Sequence, residues 1–198
     1  MQLRPYQIQI VDEVVSSDCN RMLIVLPTGG GKTIIMAAIC DKKNKKTLLL
    51  AHRDELLYQA KNRIKDYAPH IKTSICSEGN TDFSGDVVIG SVQTLCRKLD
   101  QLRAFNPSIV MVDEAHHAQA ETYKKILYNL EHAQWIGVTA TPDRSDNKDI
   151  EQIFGKPIQY SRTIRQMIKD GFLSPIISKK LFTHVDLGKI KTSGEDFS

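Results

Sequence analysis

The segment MLIVLPTGGGKT, residues 22–33, decides the fold of this chain of 198 residues. It begins as an unbroken apolar run, which is typical of a β-strand buried on both faces of a sheet. A proline and three glycines interrupt the run, and the apolar residues after them predict a helix over residues 32–40. Glycines between a strand and a helix let successive backbone N–H groups face one anion, at a helix end that carries partial positive charge. The segment therefore predicts a phosphate-binding loop.

Two side chains of this loop extend the prediction to a nucleotide with magnesium. Lys32 is placed to reach the terminal phosphates, and the hydroxyl of Thr33 to bind Mg²⁺. Leu26 stands where the general pattern G-x-x-x-x-G-K-[ST] has its first glycine. The alternative is a glycine-rich turn with a chance lysine, and the position between strand and helix favours the phosphate loop.

Strands and helices alternate along the rest of the chain. Helices are predicted over residues 5–15, 32–40, 53–67, 91–99 and 121–130, and strands over 22–26, 47–51, 71–76, 86–89, 109–112 and 135–139. Each strand is a solid apolar run rather than an alternating one. This pattern predicts an α/β fold in which a parallel sheet has helices on both faces.

Two carboxylates follow the apolar strand 109–112, which runs directly into Asp113, Glu114, Ala115 and His116. A parallel strand brings the residues at its carboxyl end to the ligand-binding edge of the sheet. Asp113 is then placed to hold Mg²⁺ with Thr33, and Glu114 to act as general base on the attacking water. An isolated acidic pair at a strand end is usually a solvated turn, but a phosphate loop in the same chain favours the catalytic interpretation.

Composition excludes several other classes. The net charge of +4 and pI of about 8.8 are compatible with a polyanion partner without requiring one. The four cysteines lack the spacing of a zinc site, and Cys40 and Cys76 are expected to be reduced and buried. The sequence has neither the order of a secretory signal nor an apolar run long enough to cross a bilayer. We expect a soluble protein of the cytoplasm or nucleoid, with no membrane partner.

Six segments resemble, in order, the motifs of superfamily 2 helicases. They are residues 3–7 (Q motif), 27–33 (motif I), 51–56 (motif Ia), 90–95 (motif Ib), 113–116 (motif II, spelled D-E-A-H) and 138–142 (motif III). The residues of these motifs are most similar to those of the branch that contains type I and III restriction motors and DNA-repair helicases similar to RadD. Features after motif III, including Phe154, Tyr160, residues 171–175 and a strand at 185–186, resemble the same branch.

This resemblance implies a RecA-like P-loop NTPase domain that uses ATP and Mg²⁺ to move on or unwind nucleic acid. It implies a catalytic set of Lys32, Asp113, Glu114 and His116. It implies ATP-binding residues Arg4, Gln7, Pro27, Thr28, Gly29, Gly30, Gly31, Lys32 and Thr33, with Gln7 reading the adenine edge. It implies nucleic-acid or coupling residues Arg53, Ser91, Gln93, Thr94, Thr139 and Thr141, with the two threonines of motif III near His116.

Arg53 lies one position earlier than the arginine of the RNA-helicase form of motif Ia, which favours DNA over RNA. A phosphate contact at a helix start suits Arg53, although a surface ion pair is the alternative. His117 matches no motif role and is expected to be a capping or surface histidine. Besides the motor domain, two other functions stay open: a nucleotide-gated binding module without turnover, and another P-loop enzyme such as a small-molecule kinase.

The resemblance also implies a second RecA-like domain that supplies an arginine finger. No glycine of the 198 residues is followed by arginine, as the finger motif would require. We therefore expect residues 1–175 to form the ATP-binding domain and residues 176–198 to be a strand and the start of a linker towards the second domain. By itself the chain is expected to be nearly inactive.

Overall fold

A computed structural model of the chain describes residues 2–52, 54–140, 147–155 and 160–176, and the backbone of 192–193 and 196–197. The helices are α1 (Pro5–Ser16), α2 (Lys32–Lys43), α3 (Asp54–Tyr67), α4 (Val92–Leu95), α5 (Leu99–Phe105), α6 (Glu121–Tyr128), α7 (Asn147–Phe154) and α8 (Ile164–Lys169). The strands are β1 (Arg21–Val25), β2 (Thr47–Ala51), β3 (Thr73–Ser77), β4 (Asn80–Thr81), β5 (Val87–Ser91), β6 (Ile109–Asp113), β7 (Gln134–Thr139), β8 (Tyr160–Ser161), β9 (Thr192–Ser193) and β10 (Asp196–Phe197).

Eight of these strands form one sheet in the order β4-β3-β5-β2-β6-β7-β1-β8. Every neighbouring pair is parallel except β3 and β4, which are antiparallel. The expected α/β fold is confirmed, with a short antiparallel edge strand added within the loop between the predicted strands 71–76 and 86–89.

Successive residues of each strand pack against opposite faces of the sheet, because side chains in a strand alternate in direction. In β1, Met22 and Ile24 join the apolar cluster that contains buried residues of α1, α2 and α3, whereas Leu23 and Val25 join the cluster that contains those of α4 to α7. Both faces are therefore covered, which explains why β1, β2 and β6 consist mainly of consecutive apolar residues rather than alternating ones.

The register aligns the strand ends that carry the motifs along one edge of the sheet. Ala51 pairs with Ser91 between β2 and β5, Leu50 with Val112 between β2 and β6, and Asp113 with Val138 between β6 and β7. Val25 pairs with Thr139 between β1 and β7. The candidate site residues after β5, β2, β6, β7 and β1 consequently lie side by side in that order.

The predicted helix 91–99 is wrong as a single element. Helix α4 ends at Leu95, and the N–H groups of Arg97 and Lys98 bond to carbonyls three residues back, which tightens the chain into a turn. A new helix, α5, begins at Leu99. The apolar residues 92, 95, 99 and 102 keep helical spacing through the turn, so their periodicity does not reveal the break.

Two further expectations concern the end of the chain and the membrane. The predicted strand at 185–186 lies outside the described residues, and β9 and β10 pair with each other in a separate antiparallel ribbon. Among the described residues, no helix combines the length and apolar character needed to cross a membrane.

Candidate nucleotide and nucleic-acid site

The phosphate loop leaves the sheet directly after β1 and ends where α2 begins. The N–H of Leu26 donates to the carbonyl of Thr139 at 2.9 Å, which fixes the start of the loop against β7. Gly29 and Gly31 have φ of +82° and +76°, in the left-handed region that glycine adopts without strain. Gly31 is also the N-cap of α2, so Lys32 and Thr33 lie in the first turn of the helix, where an anion is favoured.

Residues in the first turn of helix α1 contact this loop. The hydroxyl of Tyr6 donates to the Gly30 carbonyl at 2.8 Å, and Nε2 of Gln7 lies 3.4 Å from the same oxygen. The N–H of Arg4 donates to Oε1 of Gln7 at 2.8 Å. Gln7 is buried, and the backbone of Arg4 orients its side chain; Oε1 accepts this one hydrogen bond and has a second lone pair with which an amide oxygen can accept another.

A cavity of about 260 Å³ lies between the loop, the start of α1 and helix α3. Its lining residues are Gln2, Arg4, Gln7, Gly29, Gly31, Thr33, Ile34 and Arg63. This volume is slightly below the range of about 300–1,000 Å³ that is typical of small-molecule pockets. Arg63 on α3 was missed from the sequence, because nothing in the polar pattern of that helix distinguishes it from its neighbours.

The acidic strand end lies at the same edge of the sheet. Asp113 is the last residue of β6, and Glu114 adopts a left-handed φ of +49° before a 3₁₀ turn, Ala115–His117. The N–H of Glu114 donates to Oδ1 of Asp113 at 3.0 Å. The left-handed backbone of Glu114 therefore starts the turn directly after Asp113, at the carboxyl end of β6.

Glu114 and its neighbours form a continuous set of polar contacts. Oε1 of Glu114 lies 3.5 Å from Nζ of Lys32, and Oε2 lies 3.4 Å from Nδ1 of His116. The same Nδ1 lies 3.2 Å from Oγ1 of Thr139. The side chain of Lys32 is 12% exposed and that of Glu114 is 32% exposed, so the lysine is held inside while the carboxylate still meets solvent. Motifs I, II and III thus meet through side chains.

The pKa of Asp113 is raised because the carboxyl group is buried and because Glu114 lies nearby, while a hydrogen bond and Lys32 partly offset these effects. A divalent cation would reverse this shift by favouring the carboxylate. Thr33 and Asp113 carry a hydroxyl and a carboxylate, the kind of oxygen ligand that could hold Mg²⁺, which usually takes only one or two protein ligands beside phosphates and water. Among the described residues, no cluster of three or more His, Cys, Asp or Glu side chains suited to a metal ion occurs.

A second cavity, of about 510 Å³, lies past the ends of β2 and β5. It is lined by His52, Asp54, Glu55, Glu78, Ser91, Gln93 and Thr94. Ser91 donates to Oγ1 of Thr94 at 3.0 Å, which groups the motif Ib hydroxyls on one wall. Arg53 and Thr141 lie outside the described residues.

Residues 1–144 match the family model of the type III restriction enzyme res subunit. The chain belongs to this family. The resemblance to superfamily 2 motors of the restriction branch is thereby confirmed.

Relatives of this res-family chain include two curated proteins. The chain is 32% identical to the IRC3 protein of Saccharomyces cerevisiae, which is assigned as an ATP-dependent helicase, over 98% of the chain and 31% of that protein. It is 31% identical to the EcoAI endonuclease subunit of the type I restriction enzyme of Escherichia coli, over 93% of the chain and 25% of that subunit. The chain therefore spans a third or less of the length of both.

A solved structure agrees with the res-family fold. The fragment assigned as the HsdR subunit of a type I restriction enzyme from Vibrio vulnificus superposes with a TM-score of 0.65 at 26% identity, covering 85% of this chain and 32% of that one. The confirmed RecA-like fold thus accounts for most of the described residues.

Proposed function

We propose that this res-family chain is the ATP-binding and ATP-hydrolysing motor domain of a DNA helicase or translocase. The observation that carries the proposal is the set of contacts that joins Lys32, Glu114, His116 and Thr139 at the edge of the sheet. A P-loop kinase has no need of the last two members, whereas a motor must transmit the state of the γ-phosphate. Relatives assigned as helicase and restriction-enzyme subunits support the same activity.

In this proposal each described residue has a separate task. The loop amides and Lys32 hold the β- and γ-phosphates, and Lys32 exchanges its contact with Glu114 for the phosphate. Mg²⁺ held by Thr33 and Asp113 would neutralise charge that develops on the phosphates. Glu114, freed from Lys32 and still beside His116, then accepts the proton of the attacking water.

The adenosine end of ATP is expected in the cavity of about 260 Å³ beside α1. Gln7 offers its free lone pair to the adenine edge, and the guanidinium groups of Arg4 and Arg63 flank the opening. Arg4 is fixed by donating to the Phe172 carbonyl at 2.9 Å. Because this cavity is small and open, a further protein surface is needed to complete it, and we propose that a second RecA-like domain supplies this surface and the arginine finger.

Nucleic acid is proposed to bind at the cavity beside β2 and β5, through Arg53 and the donors Ser91, Gln93 and Thr94. The hydroxyl and amide groups that line this cavity suit backbone phosphates rather than base edges, so binding should not depend on sequence. Asp54, Glu55 and Glu78 line the same cavity, and their carboxylates repel phosphate. The domain alone should therefore bind DNA weakly.

A nucleotide-gated binding module without turnover is the second candidate. It would require a defect in the catalytic set, yet Lys32, Asp113 and Glu114 are all present and grouped at one edge. We therefore favour the hydrolysing motor.

Calorimetric titration of Mg-ATP into the wild-type protein and into Lys32→Ala tests the nucleotide site. We expect the variant to lose measurable binding, because the charge that meets the phosphates is removed. Lys42→Ala is the matched control, since Lys42 lies at the far end of the same helix in an exposed ion pair with Asp12. Equal affinity in wild type and Lys32→Ala would refute the proposed phosphate site.

A further inference from the structure

Three imidazole rings form a row between the acidic turn and the cavity beside β2. The rings of His116 and His117 lie 4.1 Å apart at 43°, and those of His117 and His52 lie 4.6 Å apart and nearly parallel, at 18°. The expected capping or surface role of His117 is thus replaced by a half-buried position between two other rings. The row is a contact between motif II and the residue that precedes Arg53.

The sheet order explains why these rings meet. Strand β2 is the neighbour of β6, and Leu50 is paired with Val112, so the residues after both strands emerge next to each other. His52 follows the last residue of β2, and His117 ends the 3₁₀ turn after β6. Two parallel strands therefore deliver one ring each to the same point above the sheet edge.

The two ends of the row lie in different surroundings. At one end, His116 contacts both Glu114 and Thr139. At the other end, His52 is exposed and lines the cavity that also holds Ser91, Gln93 and Thr94. A group that fills this cavity touches His52 without touching the ATP site.

We propose that the stacked rings of His52 and His117 are positioning residues through which a nucleic-acid backbone in the cavity holds Glu114 in its catalytic position. A sugar or phosphate against His52 restrains that ring, the stack restrains His117, and the short turn transmits the restraint to Glu114. The left-handed backbone of Glu114 is followed at once by this turn, so a rotation of the turn changes how far the carboxylate lies from Lys32. The inference rests on the proposed motor function and assigns a pathway for its stimulation by nucleic acid.

The test uses the full-length natural protein and compares its ATP turnover at saturating DNA with its turnover without DNA. In His117→Ala we expect this ratio to fall about fivefold or more, as for the loss of a typical coupling free energy between two sites. The KM for ATP should change less than twofold, because no ATP contact is removed. His117→Phe should restore most of the ratio, since a flat ring is kept. His70→Ala is the matched control, an exposed histidine paired with Asp41, and should keep the wild-type ratio.

A double-mutant cycle separates a shared pathway from two independent effects. If the stack transmits the restraint, His52→Ala combined with His117→Ala should reduce the ratio no further than either change alone. Additive losses, or a wild-type ratio in His117→Ala, would overturn the link while leaving the motor function standing. A wild-type protein that no DNA stimulates would overturn both. If His117→Ala does not fold, the exposed His52→Ala carries the same test.

Discussion

Replacing Glu114 with glutamine should separate ATP binding from ATP hydrolysis. In the structure, one carboxylate oxygen faces the Lys32 ammonium at 3.5 Å and the other faces His116 at 3.4 Å. Glutamine has the same shape and can present its oxygen to Lys32 and its amide group to Nδ1 of His116. The local contacts are therefore kept, and at most about 1 kcal/mol of a partly exposed ion pair is lost from stability.

The change should raise the activation free energy of hydrolysis by far more than it lowers the free energy of unfolding. An amide does not accept the proton of the attacking water, and loss of general-base help lowers rates by about 10²–10⁴. At about 1.36 kcal/mol per tenfold change, this is about 3–5 kcal/mol of transition-state stabilisation. ATP affinity should stay the same or rise, because phosphate no longer competes with a carboxylate for Lys32.

The assay is phosphate release at saturating Mg-ATP and DNA, paired with calorimetric titration of ATP into the same preparations of full-length protein. Glu121→Gln is the matched control, because Glu121 is exposed on α6 and pairs only locally with Lys124. Wild-type turnover in Glu114→Gln would refute the assignment of the base. A parallel loss of ATP affinity and turnover would instead make Glu114 a binding residue.

Three further changes test other parts of the site. Gly31→Ala should lower the free energy of unfolding by about 1–2 kcal/mol in urea and weaken ATP binding, because a left-handed backbone disfavours alanine and the new Cβ meets Nε2 of Gln7. Unchanged stability would contradict the loop geometry. Arg63→Ala should weaken ATP binding in calorimetry about tenfold, as for one lost hydrogen bond to a charged group, and equal affinity would place Arg63 outside the site. If Arg53 neutralises one phosphate, Arg53→Ala should reduce the slope of log K against log salt for DNA binding by up to about one unit. An unchanged slope would mean that Arg53 is a surface residue without a phosphate contact.

The parts of the fold that could be predicted from sequence are those that local patterns determine. Residues 22–25 of β1 and 109–112 of β6 are all apolar because both faces of the sheet are covered, and the motifs that follow these strands can be recognised from local sequence alone. Glycines with positive φ in the phosphate loop follow from the same local logic. Burial of Cys40 and Cys76 was also predicted correctly: Cys40 lies near the end of the apolar helix α2, and Cys76 lies in strand β3.

The parts that were missed depend on which elements become neighbours. Arg63 enters the site only because α3 packs beside the phosphate loop, and His52 meets His117 only because β2 lies next to β6. The break after α4 keeps helical spacing on both sides, so no periodicity marks it. Contacts of this kind can be predicted only when the order of the strands in the sheet is known, and a single sequence does not reveal that order.

The most direct test of the central claim is phosphate release by the full-length natural protein with Mg-ATP, measured with and without DNA and repeated with Lys32→Ala. Lys32 is the residue that links the phosphate loop to Glu114, so it is common to binding and catalysis. We predict turnover that rises when DNA is added and falls to background in the variant, with or without DNA. Turnover that does not change when DNA is added, or that persists in Lys32→Ala, would contradict the account of this chain as an ATP-driven motor domain.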